Sequence, residues 1–178
     1  AVVSEDSRDN PINVLANDNL FVGTVLTVDS FTQPTNGQVT RQGTTNTLLY
    51  TPKADFSGVD TFTYTAKNDR NVSDTATVTF RVDGLNDGPV NTVPGAQTID
   101  EDGVVVFSGA NAISVADVDA DAAGGLRVAL NVANGKLTST AGAGVTGSGT
   151  NSVTITGLVA AVNTALSGLT YTPNKDFN

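Results

Sequence analysis

An internal repeat is the feature of this sequence that most constrains its fold. Three short motifs occur twice, in the same order, in the two halves of the 178-residue chain. The repeat predicts two tandem copies of one kind of domain, and this length suffices for two small domains. The matched segments are Ser4–Ser7 with Asp100–Gly103, Asn36–Thr40 with Asn134–Thr138, and Tyr50–Phe56 with Tyr171–Phe177.

Hydrophobic periodicity predicts strands in both copies. Apolar and polar residues alternate along Asp60–Lys67 and Thr75–Val82, and again along Leu126–Val132 in the second copy. Alternation at period two is typical of half-buried antiparallel strands. Asn36-Gly37 and Asn134-Gly135 each lie between apolar runs, and this dipeptide favours a tight hairpin turn. The chain is therefore predicted to be all-β, with two β-sandwich domains.

The second copy differs from the first between its second and third motifs. It contains an additional Gly/Ser/Thr-rich loop, Ala141–Ser152, for which a flexible hairpin is expected. A predicted strand over Val153–Thr156 and a short predicted helix over Leu158–Leu166 follow this loop. Gly168 lies where a helix of this length would end, at the C′ position.

The two copies also differ after the third motif. The first copy continues through Gly58–Val82, which contains its two clearest strand patterns, whereas the second stops at Asn178. The second domain is therefore expected to lack its last two strands. An exposed strand edge would favour self-association.

The composition excludes several classes of function. Nine basic and eighteen acidic residues give a formal charge of −9, so the chain has no basic stripe that would bind nucleic acid. Because it has no Cys and no His, it cannot form disulfides, thiolate or imidazole metal sites, or Ser–His and Cys–His catalytic pairs. No apolar run approaches the ~18–20 residues of a membrane-spanning helix. We therefore expect no nucleic-acid partner and no membrane insertion.

The choice of acidic residues is uneven. Glu5 and Glu101 are the two glutamates among eighteen acidic residues, which leaves sixteen aspartates. Aspartate is a poor helix and strand former and instead suits turns, caps and calcium ligation. The excess of aspartate therefore indicates loops in which carboxylates either hold turns or bind calcium.

Several short strings occur together in an order and spacing that are fairly specific. They are Val14-Leu15-Ala16-Asn17-Asp18, Asp55-Phe56-Ser57-Gly58-Val59-Asp60 and Asn86-Asp87-Gly88-Pro89-Val90 in the first copy, and Ile113–Asp119 and Gly168–Pro173 in the second. With these strings the chain resembles the cadherin-like and immunoglobulin-like tandem repeats of large bacterial surface adhesins. The resemblance implies extended rods of β-sandwich domains outside a bacterial cell, exported by type I secretion, rigidified by Ca²⁺ and involved in attachment and biofilm formation.

The resemblance also implies domain limits and a calcium site. It places a cadherin-like β-sandwich at residues 1–84, a calcium-binding linker at residues 85–90 and a second, longer cadherin-like β-sandwich at residues 91–178. In cadherin-like repeats the base of one domain, the linker and the top of the next domain share the ligands. Carried over residue by residue, the expected ligands are Glu5, Asp55, Asp60, Asn86, Asp87, Asp117, Asp119 and Asp121.

Two further half-sites are expected away from this linker. Asp18 and Asp69 would face a preceding repeat, and Glu101 and Asp176 would begin a site at the far end of the second domain.

The expected linker site would gather six carboxylates, those of Glu5, Asp55, Asp60, Asp87, Asp117 and Asp119. At ~5–8 Å separations their repulsion costs roughly 1–3 kcal/mol per close pair at an effective dielectric of ~20, which favours bound cations. The alternative is that these aspartates are turn formers that bind their own backbones.

The function predicted from these features is mechanical. We expect a structural extender of a bacterial cell-surface adhesin, with the neighbouring repeats of the same polypeptide as its partners. One alternative is a carbohydrate- or protein-binding module that acts through the Ala141–Ser152 loop. A second is an accessory domain of an extracellular hydrolase, because paired carboxylates can cleave glycosides. The carboxylates here lie at strand ends and in a linker, so no enzymatic activity is expected.

Overall fold

The computed structural model describes residues 1–18, 25–100, 102–140 and 144–177. Two units, Ala1–Leu85 (unit 1) and Asn86–Asn178 (unit 2), each contain a separate hydrophobic core. Both units consist mainly of strands joined by turns. The prediction of an all-β chain built from Ig-like β-sandwich domains is confirmed.

The described residues of unit 1 form seven strands in two sheets. One sheet has the order β1-β7-β6-β3 and the other has the order β2-β5-β4. All pairings are antiparallel except that of β1 with β7, which is parallel. The strands are β1 (Val2–Ser4), β2 (Asn10–Asn13), β3 (Leu26–Phe31), β4 (Gly37–Arg41), β5 (Thr47–Pro52), β6 (Gly58–Asn68) and β7 (Ser73–Asp83).

The alternating segments of the first copy are β6 and β7, and their two faces have different surroundings. Phe62 and Phe80 are buried on the inner face, where the rings of Tyr50 and Phe80 stack with their centroids 4.2 Å apart. The outer face carries threonines directly opposite one another across the two strands. These pairs are Thr61 with Thr79, Thr63 with Thr77, and Thr65 with Thr75. Both strands are thus half-buried, as the periodicity predicts.

The Asn36-Gly37 hairpin prediction is wrong. Strand β3 pairs with β6, whereas β4, which begins at Gly37, pairs with β5, so this dipeptide connects the two sheets. A side chain at position 37 would meet the Tyr50 ring and would lie 2.8 Å from the Thr51 carbonyl oxygen. Glycine is therefore required for a close approach to Tyr50, not for a hairpin turn.

The described residues of unit 2 form eight strands and one α-helix. Its sheets have the orders β12-β15-β9, β11-β14-β13 and β10-β8. The elements are β8 (Val90–Thr92), β9 (Val105–Val106), β10 (Ser114–Ala116), β11 (Leu126–Asn131), β12 (Gly135–Thr138), β13 (Val145–Thr146), β14 (Ser152–Gly157), α1 (Val159–Ser167) and β15 (Thr170–Pro173).

The repeat motifs occupy equivalent places in the two units. Strands β12, β15 and β9 follow the order of β4, β5 and β2, with Gly135 opposite Pro173 as Gly37 is opposite Pro52. The Asn134-Gly135 hairpin prediction is therefore also wrong, because β11 pairs with β14 and β12 with β15. The additional stretch of the second copy supplies β14, which pairs with β11 as β6 pairs with β3.

The predicted helix is confirmed as α1. It buries Val162, Ala165 and Leu166 in the core of unit 2. Gly168 ends the helix at φ −106°, not in the left-handed conformation expected of a C′ glycine. The next residue, Leu169, is fully buried, and β15 begins directly after it.

Candidate metal centre

In unit 1, a buried carboxylate binds the end of the unit's last segment. Glu5 follows β1, and its backbone N–H donates to the Asp83 carbonyl at 2.9 Å, which continues the pairing with β7. Its side chain is 4% exposed, and Oε1 accepts a hydrogen bond from the Leu85 N–H. A buried carboxylate normally has several hydrogen bonds or a cation to offset its lost hydration. Among the described residues, the Glu5 side chain has this one hydrogen bond.

Asp55 also lies within a turn of unit 1. Its backbone N–H donates to Asp6 Oδ1 at 3.3 Å, so these two exposed carboxyl-bearing residues are neighbours. Both adopt the left-handed backbone conformation, with φ of 58° at Asp55 and 56° at Asp6. Aspartate tolerates this conformation better than most residues because its short side chain binds the local backbone. The turn-forming interpretation therefore accounts for part of the aspartate excess.

In unit 2, three of the expected ligands come together around the start of the unit. The Asp87 N–H donates to Asp119 Oδ2 at 2.7 Å. Asp117 Oδ1 accepts from the N–H groups of Asp119 and Ala120, at 3.0 and 2.8 Å. One oxygen of Asp117 and one of Asp119 are used in this way, and the contacts of the described residues leave the second oxygen of each for a ligand. Asn86 Nδ2 donates to the Asp87 carbonyl at 2.7 Å and is exposed.

Asp60 and Asp121, two of the expected ligands, accept hydrogen bonds from groups outside the Asp87–Asp119 region. Asp60 is 4% exposed, and its Oδ2 accepts from the Tyr50 hydroxyl at 3.0 Å and from the Asn36 N–H at 3.1 Å. Its Oδ1 accepts from the Thr61 N–H. Asp121 Oδ1 accepts from the Val159 N–H, at the start of α1, at 2.8 Å. Internal hydrogen bonds thus account for both oxygens of Asp60, and one oxygen of Asp121 binds the start of α1.

The outlying candidates are dispersed. Asp18 accepts a hydrogen bond from the Tyr64 hydroxyl and lines a cavity of about 360 Å³ with it. Burial, together with the negative charge of Asp18, raises the pKa of Tyr64. Asp69 is exposed in the turn between β6 and β7, and Asp176 is exposed at φ 57°. Glu101 lies outside the described residues.

Ion pairs do little to offset the acidic charge. In the described part of the chain, the one salt bridge joins Arg81 and Asp83 at 2.7 Å, and both side chains are largely exposed. Among the described residues, no salt bridge involves Asp117 or Asp119. Carboxylate, amide and carbonyl oxygens are the ligands that Ca²⁺ prefers. The donor set of the Asp87–Asp119 region fits a hard cation such as calcium, and the chain has no Cys or His for a softer metal.

The comparison with known families bears on unit 1. Residues 1–81 match the bacterial Ig domain family. Unit 1 is therefore similar to a bacterial Ig-like repeat, and the fold described above agrees with this match. The bacterial Ig domain family is non-catalytic and structural, and such domains usually belong to surface proteins. No curated protein matches the chain.

Within the ranges that the structure describes, no helix is long and apolar enough to cross a bilayer.

Proposed function

We propose that this chain is a spacer module of a bacterial cell-surface adhesin and that Ca²⁺ rigidifies the segment Leu85–Asp87. The proposal is supported by the match of unit 1 to bacterial Ig domains and by the presence of two sandwich units in tandem. A spacer of this kind is extracellular, has no catalytic role, and has the neighbouring repeats of its own polypeptide as partners.

One observation carries the calcium proposal. Carboxylates bind both backbone amides that flank Asn86, since Leu85 N–H donates to Glu5 and Asp87 N–H donates to Asp119. Within unit 2, the hydrogen bond from the Asp87 N–H to Asp119 brings two acidic residues together, and a divalent cation offsets the repulsion of their charges. Bound calcium would stabilise the ordered segment over its many unfolded conformations, which turns a flexible connection into a stiff one.

The residues that would hold the ion follow from their contacts. Asp87, Asp117 and Asp119 form the central ligand set within unit 2. The contributions of Glu5, Asp55 and Asn86 stay predictions, as does self-association through unit 2. Asp60 is left out of the proposed set because both of its oxygens have internal hydrogen bonds, and Asp121 is left out because its carboxylate binds the start of α1.

The binding-module alternative also stays a prediction. Residues 141–143 of its proposed loop lie outside the described residues, and β13 pairs with β14 in an antiparallel hairpin over the rest. Nothing in that hairpin favours a carbohydrate or protein ligand over a plain connection.

Calorimetric titration of the whole chain with calcium tests the proposal. We expect binding with Kd on the order of 0.1–1 mM, as in other extracellular calcium modules. At a tenfold excess over Kd the ion would add about 1.4 kcal/mol to the free energy of unfolding. Asp119→Asn should weaken binding about tenfold or more, because it removes a ligand charge.

The matched control is Asp74→Asn, which removes the same charge at an exposed position of β7 in unit 1. It should bind calcium as the wild type does. Small-angle scattering in chelator and in ~1–5 mM calcium should show a larger maximum dimension with the ion. Absence of binding heat, of thermal stabilisation and of any change in scattering in the wild type would refute the calcium proposal.

A further inference from the structure

The turn that carries Asp117 and Asp119 is hydrogen-bonded to helix α1 at a residue just before Asp117. Val115, two residues earlier in β10, is bound by one side chain of the helix. Its N–H donates to Asn163 Oδ1 at 2.9 Å, and its carbonyl accepts from Asn163 Nδ2 at 2.8 Å. The Asn163 amide thus binds β10 as a neighbouring strand would, with one donor and one acceptor.

A second hydrogen bond joins the turn to α1 just after Asp119. Asp121, two residues beyond Asp119, accepts a hydrogen bond from the Val159 N–H at 2.8 Å. Val159 is the first residue of α1, and the N–H groups of a first helical turn have no partner within the helix. A carboxylate at this end is also favoured by the helix dipole. The hydrogen bond therefore satisfies the helix and fixes the turn.

Close packing supports the same arrangement. Ala120, inside the turn, is 4% exposed. Gly125, where the turn leads into β11, approaches the start of α1 so closely that a side chain there would lie 3.1 Å from the Leu158 nitrogen. The backbone between Val115 and Gly125 is thus held against the helix at its two ends and near its middle.

We propose that α1 is the anchor of the Asp117–Asp119 turn, with Asn163 and Asp121 as positioning residues and not as calcium ligands. The anchor is a property of the ion-free chain, whereas its effect on calcium affinity rests on the proposed function. A turn already held in place loses fewer conformations when an ion binds, so the anchor raises affinity without contributing a ligand.

The anchor also gives the additional stretch of the second copy a role. Unit 1 has no α-helix among its described residues. In unit 2 the helix belongs to the additional stretch, and its Asn163 binds the backbone of Val115. The stretch thus equips unit 2, and not unit 1, with a helix behind its acidic turn.

The test uses two pairs of variants in the full chain. Asn163→Leu removes both hydrogen bonds to Val115 at similar volume, and Thr164→Ala is its control at the exposed neighbouring position. Asp121→Ala removes the acceptor for Val159, whereas Asp121→Asn keeps an oxygen acceptor and removes the charge. Calcium affinity is measured by calorimetry at a temperature where circular dichroism shows each variant folded. Amide hydrogen exchange of Asp119 and Ala120 is measured in chelator.

We expect Asn163→Leu and Asp121→Ala to raise the calcium Kd about tenfold and to speed both amide exchange rates in the ion-free protein. Thr164→Ala and Asp121→Asn should leave affinity and exchange near the wild-type values. If Asn163→Leu does not fold, the two Asp121 variants provide the same comparison.

The possible failures are distinguishable. If the wild type binds no calcium but exchange at Asp119 and Ala120 accelerates in the anchor variants, the calcium proposal is wrong and the anchor is supported. Unchanged exchange in folded Asn163→Leu and Asp121→Ala would overturn the anchor. If Asp121→Asn loses as much calcium affinity as Asp119→Asn, Asp121 is a ligand and its positioning role is refuted.

Discussion

At the residue scale, the two buried carboxylates of unit 1 are satisfied in different ways. Asp60 accepts hydrogen bonds from the Tyr50 hydroxyl and the Asn36 N–H, so protein donors replace its lost hydration. Glu5 has a single hydrogen bond, from Leu85, among the described residues. Burial of a carboxylate is costly without such partners. The contrast assigns Asp60 to the structure of unit 1.

Tyr50→Phe tests the role assigned to Asp60. Removing a hydrogen bond to a buried carboxylate should lower the free energy of unfolding of unit 1 by about 1–3 kcal/mol at pH 7. Tyr171→Phe is the control, because the Tyr171 hydroxyl donates to the Asn134 carbonyl at an exposed position. It should cost less than about 1 kcal/mol. Urea denaturation of both variants gives the comparison, and equal losses would contradict the assignment.

The same residue predicts a pH dependence. Burial, followed by the hydrogen bond to Asp60, raises the pKa of Tyr50 above its ordinary value of 10.0. A raised pKa in the folded state gives stability that is complete below pH 10 and is lost as the pH rises further. The stability difference between wild type and Tyr50→Phe should therefore shrink above pH 10. A difference that stays constant to pH 12 would argue against a raised pKa at Tyr50.

At the element scale, the pairing of β4 with β5 depends on a glycine facing an aromatic ring. The same arrangement recurs in β12 and β15, where a side chain at Gly135 would meet the Tyr171 ring. The recurrence explains why Asn-Gly and Tyr-Thr-Pro are the motifs shared by the two copies. The glycine makes room for the tyrosine, and the pairing places the ring next to the first residue of the neighbouring strand.

Gly37→Ala tests this explanation. Its methyl group would overlap the fully buried Tyr50 ring, so we expect a loss of about 1–3 kcal/mol in the free energy of unfolding. Gly95→Ala is the control, because its surroundings are open within 4 Å and its φ is not in the left-handed region. The control should change stability by less than about 0.5 kcal/mol. If Gly37→Ala were as stable as Gly95→Ala, the close approach would not explain the glycine.

At the scale of the whole molecule, each unit has its own core, so the free energy of unfolding is not a single quantity for the chain. The core of unit 1 centres on Tyr50 and Phe80, and that of unit 2 on Ile155 and Leu166. Independent cores favour separate cooperative transitions.

Scanning calorimetry should therefore resolve two transitions. Tyr50→Phe should lower only the transition of unit 1. Leu166→Ala, at a position 1% exposed in unit 2, should lower only the other, by about 2–5 kcal/mol in the free energy of unfolding. A single transition that both variants lower equally would show that the two cores unfold together.

The elements predicted correctly are those whose signal lies in consecutive residues. Strict alternation predicts β6 and β7, and apolar positions at helical spacing predict α1. The Asn-Gly pairs mislead because their turn propensity is local, whereas the partner of β4 is decided by packing against Tyr50. Local sequence patterns cannot show which strands will pair with one another in a sheet.

The site is predictable to a smaller extent. The Asp-x-Asp spacing makes Asp117 and Asp119 candidate ligands, and that stays a prediction. The same composition also places aspartates at left-handed turn positions such as Asp102 and Asp176, which the sequence does not distinguish from candidate ligands. Asn163 gives no sequence signal, because its partner Val115 is 48 residues away and is reached only through the docking of a helix.

The way Asn36 is held has a consequence for the chemical lifetime of the protein. Asn-Gly bonds are prone to deamidation, in which the glycine nitrogen attacks the asparagine side chain and a cyclic imide forms. That attack requires the peptide group between the two residues to rotate. Here the Asn36 carbonyl accepts from the Lys53 N–H at 2.9 Å, its N–H donates to Asp60, and Gly37 lies in β4. We expect these hydrogen bonds to make deamidation at Asn36 slower in the folded chain than in the unfolded chain.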